Sequence, residues 1–433
     1  MLIKVKRGLD VPMSGAPEQV IFPGQALTRL AVLGMEHVDL RPSLRVSEGD
    51  VVVSGQALFV DRADARVCFV APAAGRVVAI HRGARRSLQS VVLALEDGGS
   101  AASTPVAGLA AGGWNTLSRD NICAVLCQAG LWPALRARPY GRIAPVDGRP
   151  RALFVTAIDT QPLAADPRVV IAARADEFHE GLDVLSRLAP RTWLCHAPGE
   201  RLPYPEKPGL QAAAFAGPHP AGLVGTHLHH LASEGGPIWH VSYQDVLAIG
   251  HLFRTGTLSQ ERVIALAGSG VRAPRLVSTC LGADLSELLA GEILPGARVL
   301  CGSVLTGREA TLTSGFLGRF DHQISVLAPS PVIGFGSALR AMLMPSRRVD
   351  PVATRGSQNG MVPIEAFDRV WPFPRPPAPL LRALLMRDTQ TASALGCLAL
   401  AEEDLALCTY ACPGKLDYGV ALRSTLRELE RGR

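Results

Sequence analysis

Val46-Ser-Glu-Gly-Asp-Val51, Gly55-Gln-Ala-Leu-Phe59 and Ala71-Pro-Ala-Ala-Gly-Arg-Val77 decide how the first quarter of the chain folds. Each joins a turn of small or acidic residues to a short apolar run, and across 44–95 these runs are too brief for helices. Turns fall at 47–50, 54–56, 71–75 and 81–85, rich in the Gly, Pro, Ser and Asp that reverse a chain. The spacing predicts an all-β unit. Ahead of it, Ile3 and Val5 alternate with Leu2, Lys4 and Lys6, a short strand counted with this unit in a domain over 1–100. Behind it, 96–113 is small-residue and flexible in composition and reads as a linker.

The pattern then changes period. Ser118 is placed to cap a helix over 118–129, with Ile122, Val125, Leu126 and Ala129 on one face and Gly130 as its stop. Ala152 to Ile158 is a buried strand, Phe178, Leu182, Leu185 and Leu188 line a helix, and Thr192 to Cys195 is a second strand. Ser242-x-x-Asp245 has a capping-box pattern before a helix carrying Val246, Ile249 and Phe253 and closed by Gly256. This β-α-β order predicts an α/β domain with a parallel sheet over 114–256. Short strands at 263–267, 275–279, 297–304 and 322–328, with one helix near 284–290, predict a small α+β unit over 257–330. Pro- and Gly-rich stretches at 329–351 and 371–379 lead to a helical C-terminal part over 361–433, whose last helix spaces Tyr418, Leu422, Leu426 and Leu429 along one face.

Composition narrows the function. At 433 residues, 48% hydrophobic and 19% charged, the chain can build several cores and is not a disordered sequence. No apolar run approaches the ~18 residues of a membrane span, and MLIKVKRGLD lacks the apolar region of a signal peptide, so neither insertion nor export is expected. The net charge of +6 rests on 40 Arg and four Lys without a basic block longer than two, which argues against nucleic acid. Nine cysteines in no framework read as thiols of a reducing compartment.

The motifs are mostly negative. The β-rich stretch resembles the flattened barrel of lipoyl and biotinyl domains, which carry their group on a hairpin-tip Lys. Here the tip is Asp61-Arg-Ala-Asp-Ala65 and no Lys lies between Lys6 and Lys207. An Arg guanidinium cannot replace it, because it stays protonated and non-nucleophilic. No G-x-G-x-x-G follows the first α/β strand, and Gly268-Ser-Gly270 and Gly334-Phe-Gly336 read as turns. Cys123/Cys127 and Cys408/Cys412, with Cys397 near the latter, are either cluster ligands or packing thiols. His227-x-His229, if on a strand, would turn both rings to one side as metal ligands; a polar hydrogen-bonded turn is the other reading.

Collinear blocks then carry a family resemblance along nearly the whole chain. They run from 6–19 (KRGLDVPMSGAPEQ) and 32–42 (VLGMEHVDLRP) through 130–139 (GLWPALRARP), 217–227 (GPHPAGLVGTH) and 243–250 (YQDVLAIG). They return at 274–277, 302–307 and 402–415 (EEDLALCTYACPGK). The sequence resembles the NqrA family, the A subunits of the sodium-translocating NADH:quinone reductases (Na+-NQR). The resemblance implies a fold of α/β plus β: a lipoyl-like barrel, a Rossmann-like domain, a β-grasp (SLBB-like) domain and a helical C-terminus. It implies a peripheral subunit on the cytoplasmic face of the bacterial inner membrane, not catalytic alone. Its partners would be the five subunits B to F, especially B and C, with FAD, FMN, riboflavin and iron–sulfur centres held there and ubiquinone as substrate. The related NADH-binding subunit of respiratory complex I and the Rnf C subunit carry a glycine-rich flavin loop and a four-Cys cluster that this chain lacks. The segment 329–360 is shorter and richer in Arg and Pro than the family pattern.

Two segments suit a quinone, which needs an apolar slot with a few polar groups at its carbonyl oxygens. Leu33, Met35, Glu36 and His37 set a thioether beside a donor and a carboxylate, and Leu131, Trp132, Leu135 and Arg136 set an aromatic face beside a cation. The competing expectation is a docking scaffold for the membrane subunits, without a quinone site of its own.

Overall fold

The computed structural model describes residues 1–95, 106, 109, 111–199, 202–232, 236–311, 313–329 and 360–432. Most of the 96–113 linker, Gly334-Phe-Gly336 and nearly all of 329–360 lie outside the described residues. The core of the α/β unit is a seven-stranded sheet in the order Leu2–Lys4, Leu210–Ala216, Thr192–His196, Ala152–Ala157, Ile238–Ser242, Arg136–Arg138, Arg142–Ile143. The first five strands are parallel and the last two antiparallel. Ala152–Ala157 is central and covered on both faces, which is why it reads as an unbroken apolar run. Helices Ala175–Leu185 and Tyr243–Thr255 pack so closely that a Cβ on Gly181 would lie 2.1 Å from the carbonyl oxygen of Val246.

The opening strand does not stay with the barrel. Leu2–Lys4 runs parallel to Leu210–Ala216, and Ile3 and Val5 join the core of Phe154, Cys195 and Phe215. Alternation marks one buried face but not which sheet supplies the neighbour. The barrel itself is two small antiparallel sheets. One orders Arg29–Leu33, Leu88–Leu95, Gly75–Arg82, Val51–Val52; the other orders Pro42–Leu44, Ala57–Asp61, Cys68–Val70. Phe59 stacks on Phe69 at 4.4 Å inside it. Its hairpin tip is tied down: Arg66 forks to Asp64 and Asp147, each at 2.6 Å.

Helix Arg119–Gln128 forms as its sequence dictates, with Ser118 Oγ accepting the Asn121 N–H at 3.2 Å. Gly130 follows at φ 66°, and a side chain there would strike Val70 of the barrel. The third sheet orders Arg308–Glu309, Arg298–Cys301, Gln323–Leu327, Glu261–Ala267, Arg275–Cys280 and, from the N-terminal segment, Glu18–Pro23. That last strand carried no alternation to announce it. C-terminal helices including Pro377–Met386, Ala406–Ala411 and Tyr418–Arg431 enclose a separate core around Phe367, Leu381, Leu405 and Leu422. No described helix is long and apolar enough to cross a membrane.

Two local readings are corrected. His227-x-His229 lies on helix Val224–Leu231, not a strand, so its rings diverge: His227 is buried against Phe215, while His229 is exposed beside Phe373. Ser242 and Asp245 do not form a capping box. Ser242 Oγ donates to Asp245 Oδ2 at 3.1 Å, and the buried Asp245 carboxylate takes Arg262 at 2.7 Å and Arg319 at 3.1 Å. Two guanidiniums compete for the oxygens that a cap would have used.

Candidate functional site

Residues 33–37 leave barrel strand Arg29–Leu33. Leu33 is buried with Ala31, Val92 and Phe316, whereas Met35 is 38% exposed. Glu36 and His37 turn toward the third domain. Glu36 Oε2 accepts the Arg319 N–H at 2.9 Å, and the His37 ring meets the edges of Phe69 and Phe320 at 5.0 and 5.5 Å. Burial, helped by the Asp321 charge, pushes the Glu36 carboxyl up to about 7. Burial, with Arg319 and Arg136 nearby, pulls His37 down to about 3. With His37 neutral, its 3.6 Å approach to Glu36 is a polar contact, not an ion pair.

Residues 131–136 behave differently. Leu131, Trp132 and Leu135 are core, and the Trp132 indole N–H donates to the Ala144 carbonyl at 2.7 Å. Arg136 alone reaches out, from a strand held between Ile238–Ser242 and Arg142–Ile143 and in register with His240, and sets its guanidinium 4.4 Å above the Phe320 ring. The two segments therefore converge on Phe320, a residue the sequence pattern did not single out. Arg319-Phe-Asp-His322, a polar run with one aromatic just before a strand, was the available signal.

Arg136 and Phe320 wall a cavity of about 180 Å³. Its floor is the carboxyl ends of Ala152–Ala157 and Ile238–Ser242, through Thr156, Asp159, His240 and Ser242. There the strand order reverses: the chain leaves Ala152–Ala157 toward Thr192–His196 and later returns to Ile238–Ser242 on the opposite side. Open parallel sheets bind ligands at this crevice. Four buried polar atoms of cavity residues find no partner within the described protein: Thr156 Oγ1, Gln161 Oε1, His240 Nε2 and His322 Nε2. Burial holds both imidazoles neutral, with His322 at about 4 and His240 well below its ordinary value. Burial pushes Asp159 up to about 6, against the opposing Gln161 N–H bond, and the Glu403 charge adds to the rise. The lining can thus offer a cation, neutral donors and a protonatable carboxyl to one small polar ligand.

An outer groove of about 370 Å³ adjoins it, bounded by Leu305, Asp417, Val420 and Arg423 and sharing Thr306 and Glu403 with the inner cavity. Arg138 stands behind this junction, 3.5 Å from Glu403 and 4.0 Å from Asp404. The thiols sit elsewhere: Cys123 and Cys127 share a helix, and Cys412 Sγ lies 3.4 Å from the Tyr418 hydroxyl. Burial raises Cys123, Cys127 and Cys408, the last two to about 12. Among the described residues no three His, Cys, Asp or Glu side chains are placed to hold a metal.

Comparison with known proteins gives the family. Residues 3–96 match the family model of the NqrA N-terminal barrel-sandwich hybrid domain, 117–258 that of the NqrA second alpha/beta domain, and 263–311 that of the NQRA C-terminal domain. The Na(+)-translocating NADH-quinone reductase A subunit of Yersinia pestis bv. Antiqua is 45% identical over 452 residues, covering 99% of this chain and 100% of that protein. The protein of the same name from Neisseria meningitidis serogroup C is also 45% identical with the same coverage. A solved NAD+-reducing [NiFe]-hydrogenase in the H2-reduced state aligns over 73% of this chain and 64% of that one. At 13% identity and a TM-score of 0.37, it carries no argument. With three domain models in chain order and full-length relatives at 45% identity, the chain belongs to the NqrA family, the A subunits of the Na(+)-translocating NADH-quinone reductases.

Proposed function

We propose that the chain is the NqrA component of a Na+-translocating NADH:ubiquinone reductase (class EC 7.2.1.1), a respiratory translocase in which NADH oxidation and ubiquinone reduction drive sodium export. In this reading it is peripheral, on the cytoplasmic face, and docks with subunits B to F, with B and C as its main neighbours. FAD, FMN, riboflavin and iron–sulfur centres belong to those partners, and this subunit carries no redox centre. Its domains are a lipoyl-like barrel within 1–100, a Rossmann-like domain over 114–256, a β-grasp (SLBB-like) domain over 257–330 and a helical domain over 361–433. Strands from the first 23 residues complete the second and third sheets.

Within the complex the subunit binds the ubiquinone ring in the cavity between Arg136, His240 and Phe320. The observation that carries this reading is the convergence of Arg136 and His37 on Phe320 at the mouth of a cavity lined by unpartnered buried polar atoms. Neutral imidazoles and a guanidinium suit the carbonyl oxygens of an uncharged ring, and the outer groove leaves a path for the tail. Titrating the purified full-length chain with a short-chain ubiquinone, by heat release and Trp fluorescence, tests it. Saturable one-to-one binding is expected, weakened about tenfold in Arg136→Gln. No saturable binding, or equal affinity in the variant, overturns the site.

One observation favours the scaffold reading. Val51, Val53 and Val78 of the barrel are 53%, 58% and 46% exposed, apolar side chains suited to a neighbouring protein of the complex. On that reading the chain binds no quinone, and removing these valines weakens assembly.

A further inference from the structure

The same cavity holds an acid and a path to it, and this inference rests on the quinone reading above. Reducing a quinone to a quinol adds two electrons and two protons, one proton at each carbonyl oxygen. In the complex the electrons originate from NADH. The protons must reach the ring inside the cavity.

Asp159 follows the central strand Ala152–Ala157 directly and lines the cavity floor. One carboxylate oxygen accepts the Gln161 N–H at 2.8 Å, which fixes the group; no other hydrogen bond to Asp159 is formed among the described residues. The charged and titratable groups around it come from every packed element. The sheet contributes Arg136 and His240, helix Tyr243–Thr255 contributes Tyr243, and the third domain contributes Asp321 and His322. The C-terminal domain contributes Glu403, and Thr160, one residue on, bonds His219 at 3.1 Å. Both cavity imidazoles are held neutral and unpartnered, so they can orient a carbonyl but hold no proton in excess. Among the cavity's acids Asp321 is engaged, accepting from the Gly318 N–H at 3.0 Å and from Arg308 at 3.0 Å. Glu403 faces both the inner cavity and the outer groove.

We propose that Asp159 is the acid that protonates the ubiquinone carbonyl oxygen nearest the cavity floor, and that Glu403 carries protons to it from the outer groove. As electrons enter the ring, the Asp159 O–H bond breaks, its proton forms the new O–H of the quinol oxygen, and the carboxylate left behind is reprotonated through Glu403. The other oxygen, para to the first and out of reach of this carboxyl, takes its proton from water entering by the outer groove. Burial and the neighbouring Glu403 charge keep the Asp159 proton bound nearer to neutral pH than an ordinary aspartate would, which is the range where a general acid works best.

The test uses the assembled reductase and, alongside it, the isolated full-length chain. Asp159→Asn preserves shape and can still accept from the Gln161 N–H. It should bind short-chain ubiquinone within twofold of wild type and oxidise NADH normally with an artificial one-electron acceptor, yet lose about 100-fold in quinone turnover. The wild-type quinone rate should fall as pH rises through the Asp159 range, the Asn variant should be flat, and Asp159→Glu should recover at least tenfold. Glu403→Gln should spare the first turnover and slow the steady state several-fold. Intact binding with turnover within threefold of wild type and the same pH slope overturns the proposal, as does Asp159→Asn that has lost binding, which would make Asp159 a ligand-holding group. Absence of quinone binding by the wild-type chain overturns the site itself, a failure separate from the proton role.

Discussion

Residues 33–37 and 131–136 have similar chemistry, apolar residues ending in a polar head, but reach the same aromatic ring, Phe320, in different ways. The first is a turn leaving a small barrel, so Glu36 and His37 can face the third domain while Met35 meets solvent. The second runs where barrel, helix and sheet meet, and Leu131, Trp132 and Leu135 are all consumed by that junction. Only Arg136, at the start of the strand beside Ile238–Ser242, escapes to the cavity. The difference teaches that at a domain junction the apolar residues of a motif belong to the core, and the residue the core cannot solvate is the one free to meet a ligand.

The largest effect expected from this contrast is on stability. Trp132 is fully buried, hydrogen-bonded to Ala144 and packed edge-on against Trp239 at 5.6 Å. Trp132→Ala should cost about 3–5 kcal/mol in urea unfolding of the full chain, as aromatic truncations in packed cores do. Weakened quinone binding in that variant would then follow unfolding, not loss of a contact. A Trp132→Ala chain within about 1 kcal/mol of wild type, with quinone affinity reduced, would break the contrast by making the indole a ligand wall.

The sequence was legible where local periodicity and local hydrogen bonds decide the outcome. Ser118 caps its helix, Tyr418, Leu422 and Leu426 share a buried face, and the short strands of the third domain fall close to where their apolar runs lie. It was not legible where the partner is distant. Nothing in residues 2–6 says that their sheet neighbour is Leu210–Ala216, and nothing near Asp245 announces that Arg262 and Arg319 will claim it. The site suffered most from this, because Phe320 acquires its role only from His37 and Arg136, contributed by two other domains. His227-x-His229 failed for a simpler reason: so short a spacing fits strand or helix.

An intermediate effect separates the two segments by pH. Glu36 ionises near 7 in the fold and near 4.5 unfolded, so its contribution is fully present below 4.5 and lost as pH rises through 7. His37, lowered to about 3, acts oppositely: its contribution is present above 6.5 and lost as pH falls toward 3. Subtracting wild type from Glu36→Gln cancels the His37 part. The difference in unfolding free energy should grow in favour of the variant by on the order of 2 kcal/mol as pH rises through that window. A difference independent of pH would mean that Glu36 stays ionised against Arg319 and that this side of Phe320 is charged.

The smallest effect sharpens the comparison most, because it concerns a residue that chemistry alone would have chosen. Met35 offers the polarizable thioether a quinone ring could pack on, yet it is 38% exposed and neither cavity is lined by it. Leu33, two residues back, is the apolar side chain its segment buries. Met35→Ala removes side-chain surface that water already reaches, so it should change unfolding free energy by less than about 0.5 kcal/mol and leave ubiquinone affinity within twofold. Arg136→Gln, measured in the same titration, should weaken binding about tenfold. Were Met35→Ala to match that loss, the ring would have to lie on the solvent side of residues 33–37, where a membrane partner could cover it, and the cavity at the strand ends would serve another ligand.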